Sequence, residues 1–162
     1  MEKGDVALKV KWFNDPEVNK TLLVEEKLEM DKSLEWFERT RSDNSRRDFT
    51  IQTAEGGPIG IIALVHISDV HKTAEIYIVI GEKDFWGKGV MLEAESILIN
   101  WAFKSLNLEK IWADAVEDNI ASIITMKKLG FQIEGTLRKE RFLRGRRIDV
   151  IRLGLLKEDF KA

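Results

Sequence analysis

The segment most informative about chemistry is Trp86-Gly87-Lys88-Gly89-Val90, which lies between two segments of different periodicity. An apolar, β-branched run over residues 73–80 precedes it, and apolar residues at helical spacing follow it. Glycines at such a junction let the backbone approach a ligand closely. The start of a helix adds unpaired N–H groups and a partial positive charge. The segment predicts a phosphate site, with a tight structural turn as the alternative.

Two familiar phosphate loops do not fit this spacing. A nucleotide-binding P-loop ends in Gly-Lys-Ser or Gly-Lys-Thr after four spacer residues, and the segment has no such ending. A dinucleotide-binding loop needs a third glycine three residues after the second, where this sequence has Leu92. The predicted ligand therefore carries phosphate but is bound by neither a P-loop nor a dinucleotide-binding loop.

Candidate acid–base groups are few. Glu75 lies near the start of the apolar run, where burial would raise its pKa and suit it to take a proton from an ammonium group. The alternative is an ion pair with a neighbouring Lys or Arg. Glu117 and Asp118 are rival bases, although acids in turns are usually solvated. His66 and His71 flank a polar turn and are further candidates.

Asn119 and Ser122 stand at the start of a predicted short helix over residues 119–129. Asn is a favoured N-cap, so Asn119 is expected to cap this helix. Ser122 lies one turn further on, where a serine ordinarily bonds to the backbone. Gly130 is placed to end the helix in the left-handed conformation.

The bulk composition limits the classes of function. The chain has 162 residues, a formal net charge of -2 and no cysteine. We expect one domain over residues 1–162, no disulfide or thiolate site, and no electrostatic attraction to nucleic acid. No apolar run approaches the ~20 residues of a membrane span, and the start lacks the apolar core of a signal peptide. The prediction is a cytoplasmic protein that needs no metal, since two histidines supply few ligands.

The predicted elements alternate between helices and strands. Asp15 and Pro16 suit the cap and first position of a first helix, and Asp31 suits the cap of a second. The predicted order is ααβββαβαββ, a mixed α+β domain. The second helix covers 32–41, the strands cover 48–53, 59–67, 73–80, 108–116, 136–142 and 148–155, and the other helices begin after Gly89 and at Asn119.

Four segments together resemble the Gcn5-related N-acetyltransferases (GNAT), in particular the branch of ribosomal-protein alanine acetyltransferases and spermidine acetyltransferases. They are WFNDPEV at 12–18, the run from AEI to Gly89 at 74–89, DNIAS through KLGF at 118–131, and RRIDV through LL at 146–156. The resemblance implies the acyl-CoA N-acyltransferase fold, whose central sheet splays apart. It also implies acetyl-CoA as cosubstrate and a primary amine as acceptor.

The resemblance implies roles for the candidate residues. Backbone groups of Ile78, Val79 and Ile80 would pair with the pantetheine arm like an added strand. The pyrophosphate would lie on N–H groups of Trp86, Gly87, Lys88, Gly89, Val90 and Met91, and Asn119 would contact the pantetheine end. Ser122 would donate to the leaving thiolate. Glu75, fourteen residues before Gly89, has the spacing of the general base in histone-acetylating relatives.

Two departures from the family pattern matter. The family loop reads Arg/Gln-x-x-Gly-x-Gly/Ala, whereas this sequence has Trp86 in the first place and Met91 in the last. Many members use a tyrosine as the acid at the position that is Met126 here, and the only tyrosine of this chain is Tyr77. These departures raise the alternative of a non-catalytic CoA-binding regulatory module.

The acceptor is the least determined part of the prediction. Asn119 and Ser122 without the tyrosine favour a protein or peptide N-terminal α-amine; a polyamine and an amino sugar are the alternatives. A polyamine site would need acids, for which Glu25, Glu26, Glu29 and Asp31 are candidates unless they form a solvated helix face. Six basic residues at positions 138–147 are expected on an exposed hairpin rather than on RNA. A homodimer is left open.

Overall fold

The computed structural model describes residues 1–20 and 22–161. Its centre is a six-stranded sheet in the order β1-β2-β3-β4-β6-β5. Only β3 and β4 pair in parallel, and the other neighbours are antiparallel. This arrangement confirms the predicted mixed α+β class. The strands are β1 (Arg47–Gln52), β2 (Pro58–Ser68), β3 (Thr73–Ile80), β4 (Lys110–Val116), β5 (Gln132–Leu143) and β6 (Arg146–Leu156).

Five α-helices surround this sheet in the described residues: α1 (Val6–Asn14), α2 (Pro16–Asn19), α3 (Met30–Thr40), α4 (Val90–Ser105) and α5 (Ile120–Lys128). The predicted cap is confirmed, because Asp15 accepts hydrogen bonds from the N–H groups of Glu17 and Val18. The helix that it caps has only four residues, however. The sequence prediction missed α1, because Lys9 lies on its buried face and interrupts the apolar pattern.

Two further differences from the predictions have a physical reason. The residue at the N-cap position of α3 is Glu29, so the prediction that Asp31 caps this helix was wrong; Asp31 lies in its first turn, where an acid still favours the helix dipole. Strand β5 begins at Gln132, four residues before its predicted start. Its first residues are exposed and give no apolar alternation to read.

The parallel pairing of β3 and β4 is short. It comprises the pairs Thr73–Lys110, Ala74–Ile111 and Glu75–Trp112 and then stops. Beyond Glu75, β3 continues to pair with β2 as far as Ile80, and β4 continues to pair with β6 as far as Val116. The two central strands therefore separate, and the edge of β3 from Ile76 onward faces a gap.

Helix α1 is fixed against the end of β3 by Trp12. This indole is 1% exposed, and its Nε1–H donates to Glu82 Oε1 over 2.8 Å. A Cβ at Gly81 would lie 2.1 Å from the ring, so only glycine fits there. The larger core lies on the other side of the splayed strands, where α4 and α5 cover apolar residues of β2, β3, β4 and β6. No helix in the described ranges is long and apolar enough to span a membrane.

Candidate active site

The gap between β3 and β4 opens into two cavities. One, the loop cavity, has a volume of about 410 Å³. It is lined by Ile78, Val79, Ile80, Phe85, Trp86, Gly87, Gly89, Val90, Met91, Leu92, Asn119, Ala121, Ser122, Thr125 and Lys128. All predicted cofactor residues except Lys88 are in this set; the Lys88 side chain is exposed, with its Nζ 5.6 Å from the centre of the Phe85 ring.

The other, the charged cavity, has a volume of about 530 Å³. It is lined by Lys9, Phe13, Leu22, Leu23, Val24, Trp36, Arg46, His66, Glu75, Ile76, Tyr77, Ile78, Val79, Trp112, Asp114, Ala115, Asn119, Ser122, Met126, Glu140, Arg141 and Arg152. Four residues line both cavities: Ile78, Val79, Asn119 and Ser122. The two cavities therefore meet where β3 and β4 separate, and Glu75 and Ser122 both border the charged side.

The loop at residues 86–90, called the glycine loop below, has the backbone conformation that an anion site requires. Gly87 and Gly89 have φ of 71° and 81°, in the left-handed region, and Gly89 occupies the N-cap position of α4. A Cβ at either glycine would meet no atom within 4 Å, so space lies open beside both. The first N–H groups of the sixteen-residue α4 have no partner within the helix. Backbone, rather than charged side chains, dominates this end of the site.

The two residues that depart from the family loop, Trp86 and Met91, make different contacts. The indole Nε1–H of Trp86 donates to the carbonyl of Ile80 over 2.8 Å, which ties the loop to the end of β3. Met91 lines the loop cavity and packs against the larger core under α4 and α5, called the main core below. Its extra bulk relative to a small residue therefore lies partly in the core.

Glu75 combines burial with a single close partner. Its side chain is 19% exposed, and its Oε2 lies 2.8 Å from His66 Nδ1. Burial raises the pKa of the Glu75 carboxyl; Asp114 adds to this, and His66 and Arg152 oppose it. The predicted direction of the shift is confirmed, and the neighbour that bonds to Glu75 is a histidine rather than a Lys or Arg.

Ser122 lies at the junction of the two cavities and is 8% exposed. Its backbone N–H donates to Asn119 Oδ1 over 3.3 Å, so Asn119 caps α5 as predicted. Met126, one turn further on, is buried and lines the charged cavity. Ser122 is thus the α5 hydroxyl that borders both cavities, as Thr125 lines only the loop cavity.

Comparison with known proteins decides the family. The family sequence model of the acetyltransferase (GNAT) domain matches residues 1–132 of the chain. The chain belongs to this family. It is an acetyl-CoA-dependent N-acetyltransferase, as the sequence predicted.

Two relatives of known name and one crystal structure are similar to this chain over most of its length. The chain is 31% identical to the spermidine N(1)-acetyltransferase of Escherichia coli over 126 residues, which is 78% of this chain and 67% of the relative. It is 32% identical to the putative ribosomal N-acetyltransferase YdaF of Bacillus subtilis over 108 residues, 67% of this chain and 58% of that protein. The crystal structure of the Vibrio cholerae spermidine N-acetyltransferase with CoA and spermine superposes with a TM-score of 0.93 at 28% identity, covering 98% of this chain and 94% of that one.

The rival bases of the acetyltransferase lie elsewhere. Glu117 and Asp118 line neither cavity, and Arg146 approaches them at 3.9 and 3.7 Å. His71 is exposed, and its backbone N–H donates to Ser68 Oγ.

The acids proposed for a polyamine site also lie outside both cavities: Glu25, Glu26, Glu29 and Asp31 are exposed. Among the described residues, no group of three or more His, Asp or Glu could hold a metal ion.

Several residues of the charged cavity were missed by the sequence interpretation. Arg152 of β6 forms two hydrogen bonds with Asp114 of β4, at 2.9 and 2.8 Å, and its Cζ lies 4.3 Å from the centre of a Trp112 ring. The alternation of Trp112 and Asp114 along β4 indicates a shared face. The pairing of β4 with β6, which brings Arg152 there, has no signal in a single sequence.

Lys9 is the most unusual of the missed residues. It is 8% exposed, and its Nζ lies 3.3 Å from the centre of a Trp36 ring. Burial lowers the pKa of the Lys9 ammonium to about 8; Asp48 opposes the shift and Arg46 adds to it. The cation–π contact offsets part of the cost of burying this charge.

Proposed function

We propose that this acetyltransferase moves the acetyl group of acetyl-CoA to a primary amine of a polyamine such as spermidine, and that the loop cavity takes acetyl-CoA while the charged cavity takes the amine. The observation that carries this proposal is the junction of the two cavities at Asn119 and Ser122. The polyamine acceptor is supported by the Escherichia coli and Vibrio cholerae relatives. It replaces the protein N-terminal amine as the first expectation.

Acetyl-CoA fits the loop cavity as a substrate for three structural reasons. The free edge of β3 at Ile78–Ile80 offers backbone groups to the pantetheine amides, as an added strand would, and of these the Ile80 carbonyl already accepts from the Trp86 indole. The backbone N–H groups of residues 87–91, at the start of α4, suit the pyrophosphate. The N–H of Trp86, which the sequence also assigned to it, instead donates to the carbonyl of Lys83 over 3.0 Å. Asn119 borders the junction, where the thioester must lie for an amine in the charged cavity to reach it.

The transfer then needs one group that accepts a proton from the amine and one that donates a hydrogen bond to the leaving sulfur. Glu75 takes a proton from the acceptor ammonium, and the freed nitrogen lone pair forms the new C–N bond as the C–S bond breaks. The nitrogen loses a second proton as the amide forms, and that proton ends on the departing sulfur, which leaves as CoA thiol. Ser122 donates a hydrogen bond to the sulfur that leaves. Most of the rate enhancement comes from holding the amine and the thioester together in one gap.

The charges of the second cavity shape its choice of amine. Arg152 pairs with Asp114, and Arg46 pairs with Asp48 at 2.7 Å through two hydrogen bonds. The remaining carboxylates of the lining are Glu75 and Glu140. These two can attract the ammonium groups of a polyamine. The lowered pKa of Lys9 reduces its repulsion of a cationic acceptor near pH 8.

A second candidate is a peptide N-terminal amine. Lys9 and Arg141 in the cavity lining favour it, because peptides offer carbonyl and carboxylate oxygens to such donors. The relative YdaF is the comparison that supports it. The two candidates differ in a measurable preference for the acceptor.

The test is the initial rate of thiol release from acetyl-CoA with spermidine, spermine, an alanine-initiated peptide and an aminoglycoside. We expect kcat/KM for spermidine to exceed that for the peptide by at least about tenfold, which corresponds to ~1.4 kcal/mol. Preference for the peptide by the same factor would overturn the polyamine proposal. Absence of transfer to every amine, with acetyl-CoA still bound, would overturn both candidates.

The base assignment is tested in the same assay by Glu75→Gln. We expect the rate at pH 7 to fall by about 10–100-fold, and by less above about pH 8, where free amine becomes more abundant. The activity that depends on Glu75 should disappear as the pH falls through the raised pKa of its carboxyl, since only the carboxylate accepts a proton. Glu117→Gln is the matched control and should keep the wild-type rate. Equal pH profiles for both variants and the wild type would contradict this role.

A further inference from the structure

His66 touches the proposed base but has no role in the proposed transfer. It lies near the end of β2, lines the charged cavity, and its side chain is 72% exposed. The Glu75 carboxyl, which is itself 19% exposed, is therefore bonded to an imidazole ring that extends into solvent. This link depends on an irregularity in the strand.

The pairing of β2 with β3 shifts at this position. Val65 pairs with Glu75 and Ser68 pairs with Thr73, so His66 and Ile67 together lie opposite Ala74. This is a β-bulge, with two residues facing one. Residues that pair directly share a face of the sheet. In a regular strand His66 would pair with Ala74 and point to the face opposite Glu75, into the main core where Ala74 is fully buried.

The bulge reverses this direction at a cost in backbone free energy. His66 has a φ of 51°, in the left-handed region that a residue with a side chain rarely adopts. With this φ, the ring reaches Glu75 Oε2 through Nδ1 over 2.8 Å. It also lies parallel to Trp112, with an interplanar angle of 1° and ring centroids 6.1 Å apart. A strained backbone that aims one side chain at the base is typical of a functional position.

We propose that His66 is a positioning residue that acts through Glu75 and carries to solvent the proton that Glu75 takes from the acceptor amine. The inference rests on the proposed role of Glu75. An imidazole suits this task because one ring nitrogen can receive a proton while the other releases one. The parallel Trp112 ring favours this orientation of the imidazole plane.

The proton balance is simple. The acceptor N–H bond breaks, its electron pair stays on nitrogen, and the proton forms an O–H bond on Glu75. That proton then passes to His66 Nδ1, and the proton on Nε2 leaves to water or to a buffer base. The second proton lost by the nitrogen ends on the CoA sulfur, so the net change is one proton transferred from the amine to solvent for each acetyl group. Glu75 returns to its carboxylate form, and proton exchange with water returns the His66 ring to its starting tautomer.

Charged groups from three strands surround this pair and set its pH dependence. Asp114 of β4 and Arg152 of β6 act on Glu75 with opposite signs, and His66 of β2 bonds to it directly. Arg152 is itself neutralised by Asp114.

The test compares initial rates of the full-length enzyme in low and high concentrations of buffer. His66→Asn keeps the left-handed backbone, which Asn tolerates best among residues with side chains, and removes the titrating ring. We expect kcat at low buffer concentration to fall by about fivefold to tenfold, below the usual effect of losing a direct base. The KM for acetyl-CoA should stay within twofold of the wild type. His71→Asn, at the only other histidine, is the matched control and should change neither value.

Chemical rescue separates proton transfer from a structural effect. His66→Gly relieves the strain and leaves room for free imidazole, which should restore the rate by at least about threefold as its concentration rises at fixed pH. A loss of rate that imidazole does not restore would overturn the relay, and so would rates within twofold of the wild type for both His66 variants at every buffer concentration. Glu75→Gln distinguishes the two proposals: if it keeps the wild-type rate, the base assignment fails, whereas if it alone loses the rate, only the relay fails.

Discussion

The two cavities are built from different parts of the chain and in different ways. The loop cavity is formed mainly by the end of β3, the loop after it and the start of α4, with α5 closing one side. The charged cavity takes side chains from all six strands except β1, and from helices α1, α3 and α5. Backbone geometry shapes the first, and paired charges shape the second. A common cosubstrate suits the first design, and an acceptor that differs among relatives suits the second.

The same contrast appears in two buried carboxyl groups. Glu75, in the charged cavity, has a raised pKa but bonds to His66 and lies near Arg152. Glu95 lies on α4, one turn after Met91, and is fully buried. Within the described residues neither of its carboxyl oxygens has a hydrogen-bond partner, and burial raises its pKa to about 8. A perturbed carboxyl is thus the proposed base in one region and a cost in stability in the other.

The largest effect that we predict concerns Glu95. Between about pH 4.5 and 8 the folded state holds a proton on this carboxyl that the unfolded state has lost. The free energy of unfolding therefore falls by about 1.4 kcal/mol for each pH unit in this range, and the effect levels off above about pH 8. Glu95→Gln, which resembles the protonated form, should raise the free energy of unfolding at pH 8 by roughly 3–4 kcal/mol and change it little at pH 4.5.

Urea unfolding at several pH values measures this effect. The exposed Glu93, on the same helix, provides Glu93→Gln as a matched control that should leave the pH dependence intact. A Glu95→Gln protein whose stability declines between pH 5 and 8 as steeply as the wild type would contradict the prediction. That result would also weaken the contrast between the two carboxyl groups.

The next effect in size is expected at the glycine loop. Gly89→Pro forces φ to about −65°, whereas Gly89 has a φ of 81° at the N-cap of α4. The loop N–H groups would then point elsewhere, and acetyl-CoA affinity should fall by at least about 100-fold, or ~2.7 kcal/mol. Gly56→Pro is the control: Gly56 has a φ of 87° in the turn between β1 and β2 and also has open space beside it. Calorimetry showing unchanged affinity in a folded Gly89→Pro protein would reject the phosphate site.

The loop cavity was the easier region to predict because its signals are local. A strand, two glycines and a helix follow one another along the chain, and residues 73–80 form the strand as predicted. The Asn119 cap and the left-handed Gly130, with a φ of 104°, also depend only on neighbouring residues. Such features are encoded by short-range sterics and hydrogen bonding.

The charged cavity was harder because its partners are distant in sequence. Arg152 meets Asp114 across 38 positions, and Lys9 reaches the cavity from a helix that the apolar pattern did not reveal. His66 was only a weak candidate from sequence, since nothing in the residue types shows that a bulge turns it toward Glu75. Register shifts and buried cations depend on tertiary packing, which local propensity does not encode.

Of the three effects that contrast the two regions, the smallest is expected at Ser122, where the regions meet. Ser122 is the hydroxyl-bearing residue of α5 that lines both cavities, and Met126, at the usual acid position, has no proton to donate. Because CoA thiolate is a fairly good leaving group, Ser122→Ala should lower kcat by only about tenfold, below the usual range for acid–base assistance. Thr125→Ala is the control, since Thr125 lines the loop cavity but donates to the carbonyl of Ala121. The decisive measurement is kcat with acetyl-CoA against kcat with an acyl donor whose thiol is more acidic. The deficit of Ser122→Ala should shrink with the more acidic thiol, whereas a constant deficit would mean that Ser122 only shapes the junction.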